Sequence, residues 1–258
     1  MIPYERRARI LSLLADDTVL FLDDVAEALG VSPSTVRRDV ASLADSGEVV
    51  ALRGGGLRRA NRVSELSSVA KAQINVVAKR AIAAKAVELV DDGDTLYLDS
   101  GTTTLQMMPL LKGRRVQVVT SNTQALGLVP EGVRVSLLGG DYLANIGSVA
   151  GSLTERMLAD MYFDKAFLGA SGCSRAAGVS TFDEREAAKK RLVHERSSHA
   201  YVLVDSSKFE VSTLHRALPL EVCSIITEKF HDLLELARSY WLAAPETGSP
   251  EDGSAAAQ

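Results

Sequence analysis

Apolar residues along this chain keep two rhythms, one before and one after Ala70. In the first, Ile10, Leu13 and Leu14 recur at helical spacing with Glu5, Arg6, Arg7 and Arg9 on the polar side, which predicts a helix from about Pro3 to Ala15. Thr18 to Leu22 is β-branched and apolar and predicts a short strand. Asp23 to Leu29 predicts a second helix that buries Val25, Ala26 and Leu29. Its acids stand in the first turns, where the helix dipole favours them, and Gly30 ends it. Ser32 is placed to cap a third helix, and Pro33 takes the first helical position, where a missing N–H costs nothing. Val36, Val40 and Leu43 form one buried stripe along it, leaving Ser34, Thr35, Arg37 and Arg38 on other faces, and Gly47 stops it. Glu48 to Leu52 and Leu57 to Ala60 read as two strands around Arg53-Gly54-Gly55-Gly56, a hairpin with a basic tip.

After a polar stretch from Asn61 to Ala70, helices and β-branched strands alternate. Helices are expected at Lys79–Val90, Thr104–Leu111, Gln124–Leu128, Ser152–Met161, Glu184–Arg196 and Phe230–Leu242. Strands are expected at Thr95–Asp99, Val116–Thr120, Val133–Leu138, Lys165–Gly169, Ala200–Asp205 and Ser224–Thr227. Such alternation predicts a mostly parallel sheet covered on both faces. The expected organisation is an α+β winged helix-turn-helix over 1–60, a linker over 61–78, an α/β domain over 79–242 and a disordered tail over 243–258.

Composition narrows the classes. The 258 residues suit two modest domains, and aromatics at 5% make base stacking on a ring-lined sheet a poor binding mode. A net charge of -4 does not suggest nucleic acid for the chain as a whole. Its distribution does. Asp16 to Glu27 carries acids and no Lys or Arg, whereas Pro33 to Arg62 sets Arg37, Arg38, Arg53, Arg58, Arg59 and Arg62 against Asp39, Asp45 and Glu48. That polarity is expected where one face meets phosphate. Cys173 and Cys223 fit no metal spacing, and neither do His194, His199, His215 and His231, so no metal or cofactor is expected. With no apolar leader and no membrane-length run, the protein is expected in the cytoplasm, away from membranes.

Two regions carry candidate chemistry. In the segment from Leu22 to Val50, two short helices joined by a tight turn would let the second enter a major groove, presenting Ser32, Ser34, Thr35, Arg37 and Arg38. Arginine can grip guanine O6 and N7 with both arms of its fork, and Arg53, Arg58 and Arg59 in the hairpin can meet phosphates or an adjacent minor groove. The competing reading is a helical domain for protein contacts with these arginines solvated, or with one of them held by Asp39.

The second region is TLYLDSGTTTL, Thr95 to Leu105, where a strand runs through Asp99-Ser100-Gly101-Thr102-Thr103-Thr104 into a helix. Free amides, the helix dipole and the hydroxyls suit an anion, Gly101 lets the backbone approach, and Asp99 can accept from a sugar hydroxyl. A tight turn with hydroxyl caps is the plain alternative. The segment has neither the GxxxxGK[ST] nor the GxGxxG pattern, which argues against a nucleotide. Ser121-Asn122, Gly140-Asp141, Gly169 with Ser171, and Lys208 also follow strands and can converge at one sheet edge. Lys208 would bring positive charge to a phosphate, or be a surface lysine. Asp183, Glu184 and Glu186 are either sugar ligands or acids of a helix's first turn.

YERRARIL, VAEALGVSPSTVRRDVASLADSGEVV and RGGGL resemble the signature of DeoR-type bacterial regulators, as do LDSGTTT, LLGG, FLGASG, FDEREAAKKR and VLVDSSKF. The match runs from Tyr4 to about Phe230. The resemblance implies a winged helix-turn-helix joined to a sugar-phosphate-isomerase-like sensor domain. It also implies phosphate held at Asp99 to Thr104 and Lys208 lining the pocket. Phe21 stands where relatives often carry a small polar residue, which weakens the cap of the second helix. Phe182 departs from a commoner Thr-Pro-Asp-Glu segment and would reshape the pocket. The expected function is a sequence-specific regulator, a repressor of carbohydrate genes controlled by a phosphorylated sugar or related metabolite and acting as a homo-oligomer on a double-stranded operator. A sugar-phosphate isomerase-like enzyme with an attached DNA-binding domain is the alternative, with Asp99, Asp183, Glu184, Glu186 and Lys208 as its acid–base groups.

Overall fold

The computed structural model describes residues 2–14, 19–45, 49–52, 54–59 and 66–244. Gly47, Arg53, the stretch Asn61 to Glu65 and the tail 245–258, all of which entered the expectations above, lie outside them. So does the Arg58 side chain, although its backbone is described.

The N-terminal unit runs α1 (Pro3–Leu13), β1 (Val19–Phe21), α2 (Leu22–Leu29), α3 (Pro33–Asp45), β2 (Val49–Ala51) and β3 (Gly56–Arg59). Ile10, Leu14, Val25, Val36, Val40, Leu43, Val49 and Leu57 close its core, so the helical stripe read along α3 is the buried one. Gly30 ends α2 in the left-handed region with φ 64°, where a β-carbon is disfavoured. The three strands pair antiparallel in the order β1-β3-β2. Phe21 gives α2 no side-chain cap; instead the Leu22 N–H donates to the carbonyl of Gly55 in the wing at 3.0 Å.

The C-terminal unit opens with α4 (Ser68–Gln73) and α5 (Val76–Val87), followed by β4 (Thr95–Leu98), α6 (Thr102–Leu105), α7 (Met107–Leu110), β5 (Gln117–Thr120) and β6 (Arg134–Leu137). Then come β7 (Asp141–Leu143), β8 (Ser148–Ala150), α8 (Ser152–Ala159), β9 (Phe163–Gly169), β10 (Gly172–Ser174), β11 (Gly178–Thr181) and α9 (Glu184–Glu195). The unit closes with β12 (Ser197–Leu203), β13 (His215–Leu218), β14 (Ser224–Thr227) and β15 (Ser239–Leu242). Seven strands form one parallel sheet in the order β15-β14-β12-β9-β4-β5-β6. Successive side chains of a strand face opposite layers. Leu96 and Leu98 join the layer containing α5 and α7, while Tyr97 joins the layer of α8 and α9. The order of strands reverses between β4 and β9, so chain connections diverge there and leave a crevice at the carboxyl ends.

Several expectations are corrected. Phe230–Leu242 is not a helix. A short 3-10 turn, Asp232–Leu236, buries Leu233 and Leu234, and β15 then pairs in parallel with β14 at the sheet edge. Trp241 packs edge-on against Tyr201, with ring centroids 5.4 Å apart. The expected linker is helical at Ser68–Gln73. The Ser67 hydroxyl accepts the Ala70 N–H at 3.2 Å, and the Ser68 N–H donates to Asn145 O at 2.8 Å. The helix expected at Thr104–Leu111 starts at Thr102 and breaks at Gln106, because Pro109 has no N–H to give the Leu105 carbonyl. Two antiparallel additions were also unforeseen: the β7–β8 hairpin and the sheet β10-β11-β13.

Candidate functional site

On the N-terminal unit, charge is sorted between α1 and the outer face of α3. Arg6 reaches across to the buried Asp39: its Nη2 donates to Oδ1 at 3.1 Å and its Nε to Oδ2. Arg7 Nη1 donates to Ser42 Oγ at 2.6 Å. These arginines fasten α1 to α3. The alternative that Asp39 holds an arginine is thus realised, but with Arg6 and not with Arg37 or Arg38. Those two are exposed, and among the described residues neither makes an ion pair. Ser32 caps α3, its Oγ accepting the Thr35 N–H at 3.3 Å. Its hydroxyl also lies 2.9 Å from those of Ser34 and Thr35. A row of exposed hydroxyls therefore leads into the two arginines at the start of the helix.

On the C-terminal unit, the sheet edge gathers a buried charge network. Asp99 follows β4, and its Oδ2 accepts the Gly169 N–H at the end of β9 at 2.9 Å, bridging the point where strand order reverses. The same oxygen takes the Lys190 ammonium at 2.6 Å. From α9, Glu186 accepts Ser148 Oγ at 2.9 Å and Lys189 Nζ at 2.6 Å on Oε1. On Oε2 it accepts Ser100 Oγ at 3.0 Å and Lys190 Nζ at 3.5 Å. Lys189 also donates to Ser121 Oγ, Ser148 Oγ and Val149 O at 2.8, 2.9 and 3.1 Å. Asp99, Glu186, Lys189 and Lys190 are all buried. Burial alone would push the Glu186 carboxyl up, but the two lysine charges outweigh it and hold it well below its usual range. Burial likewise opposes the Lys190 charge, and Asp99 and Glu186 reverse that, raising it.

Above this network lies the threonine turn. Thr104 is spent on structure, its hydroxyl donating to Asp99 O and Gly101 O, each at 2.8 Å. Among the described residues the Thr102 and Thr103 hydroxyls have no protein partner. A β-carbon built on Gly101 would sit 3.4 Å from the Gly169 α-carbon, so the turn presses on the end of β9. Asn122 Nδ2 donates to Ser100 O at 3.2 Å and steadies it.

The other candidates divide. Asp99, Ser100, Ser121, Asn122, Gly169 and Glu186 come together with the Gly101–Thr104 turn. Asp183 caps α9 and pairs with Arg185 at 2.8 Å, and Glu184 is exposed. Gly140 is packed shut, since a β-carbon there would meet Thr154 Oγ1 and lie 2.6 Å from Ala150 O; Asp141 beside it is exposed. Ser171 spends its N–H on Ser180 O at 3.0 Å.

Lys208 belongs to a second cluster past β12. Asn75 Nδ2 donates to Asp205 Oδ1 at 2.8 Å and to Ser207 Oγ at 3.1 Å. Buried Lys79 donates to the carbonyl of Lys71. Burial lowers its pKa to about 8; Asp205 opposes that shift, and Lys208 and Lys71 add to it. A cleft of about 340 Å³ lined by Asn75, Val77, Ala78, Ala81 and Glu228 opens beside this cluster. Its helix, α5, packs on α6.

Reading the sequence missed Lys189, Lys190, Ser148 and Lys79. The first two had a signal: both lie one helical turn beyond Glu186, the spacing of side chains on one face.

The chain is similar to known proteins over most of its length. Residues 6–62 match the DeoR-like helix-turn-helix domain, and residues 74–229 match the DeoR C terminal sensor domain. An HTH-type transcriptional regulator named FruR from Bacillus subtilis is 31% identical over 90% of this chain and 94% of its own. A lactose phosphotransferase system repressor from Lactococcus lactis is 30% identical over 80% of this chain and 82% of its own. Among solved structures, a D-ribose-5-phosphate isomerase in complex with phospho-erythronic acid aligns at 21% identity and a TM-score of 0.37. It covers 51% of this chain and 53% of that one. Among the described residues no helix is long and apolar enough to cross a membrane. The chain belongs to the DeoR family of helix-turn-helix transcriptional regulators, with a DNA-binding unit followed by a C-terminal sensor.

Proposed function

We propose that this regulator represses carbohydrate-metabolism genes from the cytoplasm and leaves its operator when a phosphorylated sugar occupies the sensor. The observation that carries the effector reading is the Asp99–Gly169 bridge at the strand-order reversal, overlain by a turn whose Thr102 and Thr103 hydroxyls are unspent. Ligands of open parallel sheets sit at such a crevice, and amides with hydroxyls at a helix start suit phosphate. Ser100 to Thr104 hold the phosphate, with Ser121, Asn122 and Glu186 behind them. The lactose repressor among its relatives supports the carbohydrate side.

On the DNA side, Ser32, Ser34, Thr35, Arg37 and Arg38 enter the major groove, and Arg53 and Arg58 of the wing meet the backbone. A two-fold operator is met by a homo-oligomer. The chain turns nothing over. Of its candidate acid–base groups, Asp99, Asp183 and Glu186 are engaged by Lys190, Arg185 and Lys189, while Glu184 is exposed and Lys208 stands in the cluster past β12.

A thermal-shift screen with phosphorylated sugars tests this reading, because a ligand at a hundred times its Kd adds about 2.7 kcal/mol of stability. The expected hit also releases operator DNA. Thr103→Ala is expected to abolish release while DNA affinity stays near wild type. Release that survives both Thr103→Ala and Gly101→Ala would place the pocket elsewhere. Turnover of a sugar phosphate by the full chain would make it an enzyme.

A further inference from the structure

The buried network has one unfilled acceptor. Asp99 Oδ2 takes the Gly169 N–H and Lys190, but Asp99 Oδ1 is sealed from water and has no partner. Every neighbour is better matched. Glu186 accepts on both oxygens, and the three N–H groups of Lys189 have four acceptors within reach. Lys190 spends one N–H on Asp99 at 2.6 Å and reaches Glu186 only at 3.5 Å, so it has a proton to spare. Asp99 and Lys190 thus offer one acceptor and one donor side by side.

A hydroxyl group answers both at once, giving its proton to Oδ1 and accepting from Nζ. A carboxylate has no proton to give and would meet the charges of Asp99 and Glu186. Resting on the phosphate reading above, we propose that Asp99 and Lys190 read a hydroxyl on the effector carbon next to the phosphoester. The effector class is then a phosphorylated polyol or sugar, and phosphorylated carboxylic acids are turned away. Asp99 Oδ2 takes both Lys190 and the N–H of Gly169, whose α-carbon lies 3.4 Å from a β-carbon built on Gly101, so a phosphate on the turn's amides is held beside this pair.

The test is calorimetric titration of the full-length protein with glycerol 3-phosphate, ethyl phosphate, 2-phosphoglycolate and inorganic phosphate. Glycerol 3-phosphate is expected to bind at least about tenfold more tightly than ethyl phosphate, and 2-phosphoglycolate more weakly than either. In Asp99→Asn the amide oxygen keeps the Gly169 and Lys190 bonds and its NH2 takes the place of Oδ1, turning an acceptor into a donor. There 2-phosphoglycolate is expected to gain on glycerol 3-phosphate by about tenfold or more. Equal binding of glycerol 3-phosphate and ethyl phosphate to wild type overturns the hydroxyl reading and leaves the phosphate site standing. Should none of the four compounds bind, the phosphate site itself fails and this inference falls with it. The wild-type order requires no substituted protein, so it decides the matter even if Asp99→Asn does not fold.

Discussion

The two units of this chain use charge in opposite ways. On α3 the guanidinium groups of Arg37 and Arg38 stand in solvent, and the structural work is left to Arg6 and Arg7 from α1. At the sheet edge Asp99, Glu186, Lys189 and Lys190 are buried together and bonded to one another. The partners proposed for the two sites account for the difference. A DNA backbone is a long array of charge that exposed cations can track, and release of its counterions makes the attraction sensitive to salt. A small metabolite presents few groups, so selectivity comes from dipoles and charges fixed in a dry site before it arrives.

The comparison breaks most readily at Glu186, where the largest effect is expected. Glu186→Leu removes the one carboxylate that, among the described residues, Lys189 and Lys190 share. Stranding a buried charge costs about 3–5 kcal/mol, and urea denaturation should show a loss of that size. Adding Lys189→Met should return part of it, since the stranded cation goes too. A loss no larger than that of an exposed ion pair, about 0–1 kcal/mol, would mean that the network is far wetter than its burial implies.

The exposed pair should behave otherwise. Arg37→Ala and Arg38→Ala are expected to leave stability nearly unchanged and each to weaken operator binding by about 1–3 kcal/mol if the guanidinium reads a base. A residue that touches phosphate instead lowers the slope of log affinity against log salt by about 1 and weakens all sequences alike. Binding measured at two salt concentrations on operator and random DNA separates the two roles. Unchanged binding in both variants would move the DNA contact off α3.

What could be read in advance follows from how local each signal is. The stripe Val36–Val40–Leu43, the Ser32 cap and Gly30 are short-range features, and α3 lies where they put it. β14 is an apolar β-branched run, and its observed bounds, Ser224–Thr227, are those expected. β15 was unreadable because Ser239–Leu242 is a strand only by virtue of β14 beside it, and Leu233, Leu234 and Leu236 just before it sit at spacings a helix would also use. The expectations for Ser100, Ser121 and Asn122 came from their position at strand ends, which the parallel sheet converts into proximity. Lys189 and Lys190 were passed over because their meaning depends on what α9 is packed against. In isolation EAAKK is a solvated helix face, and β4, β5 and β8 turn that face into an interior.

Lys79 sharpens the contrast with the smallest effect, for it is a buried cation whose hydrogen bond goes to a carbonyl and not a carboxylate. Burial brings its pKa from the ordinary 10.5 down to about 8, with Asp205 opposing and the lysines at 71 and 208 reinforcing the shift. Below about pH 8 the folded and unfolded chains both hold the proton, and the folded chain bears the full cost of the buried charge. Between about 8 and 10.5 the folded chain releases the proton first, so the unfolded state binds more protons and this contribution to stability rises with pH. The slope has the same sign as that of Glu186, whose depressed carboxyl contributes stability that is lost as the pH falls; the difference is that at neutral pH the Lys79 charge costs stability and the Glu186 charge contributes it. Lys79→Met is therefore expected to raise Tm at pH 7, and its advantage over wild type should shrink as the pH climbs through that window. A gap that stays constant from pH 7 to 10.5 would show that Lys79 keeps its proton in the folded state. It would then belong with the compensated charges of the network rather than standing apart from them.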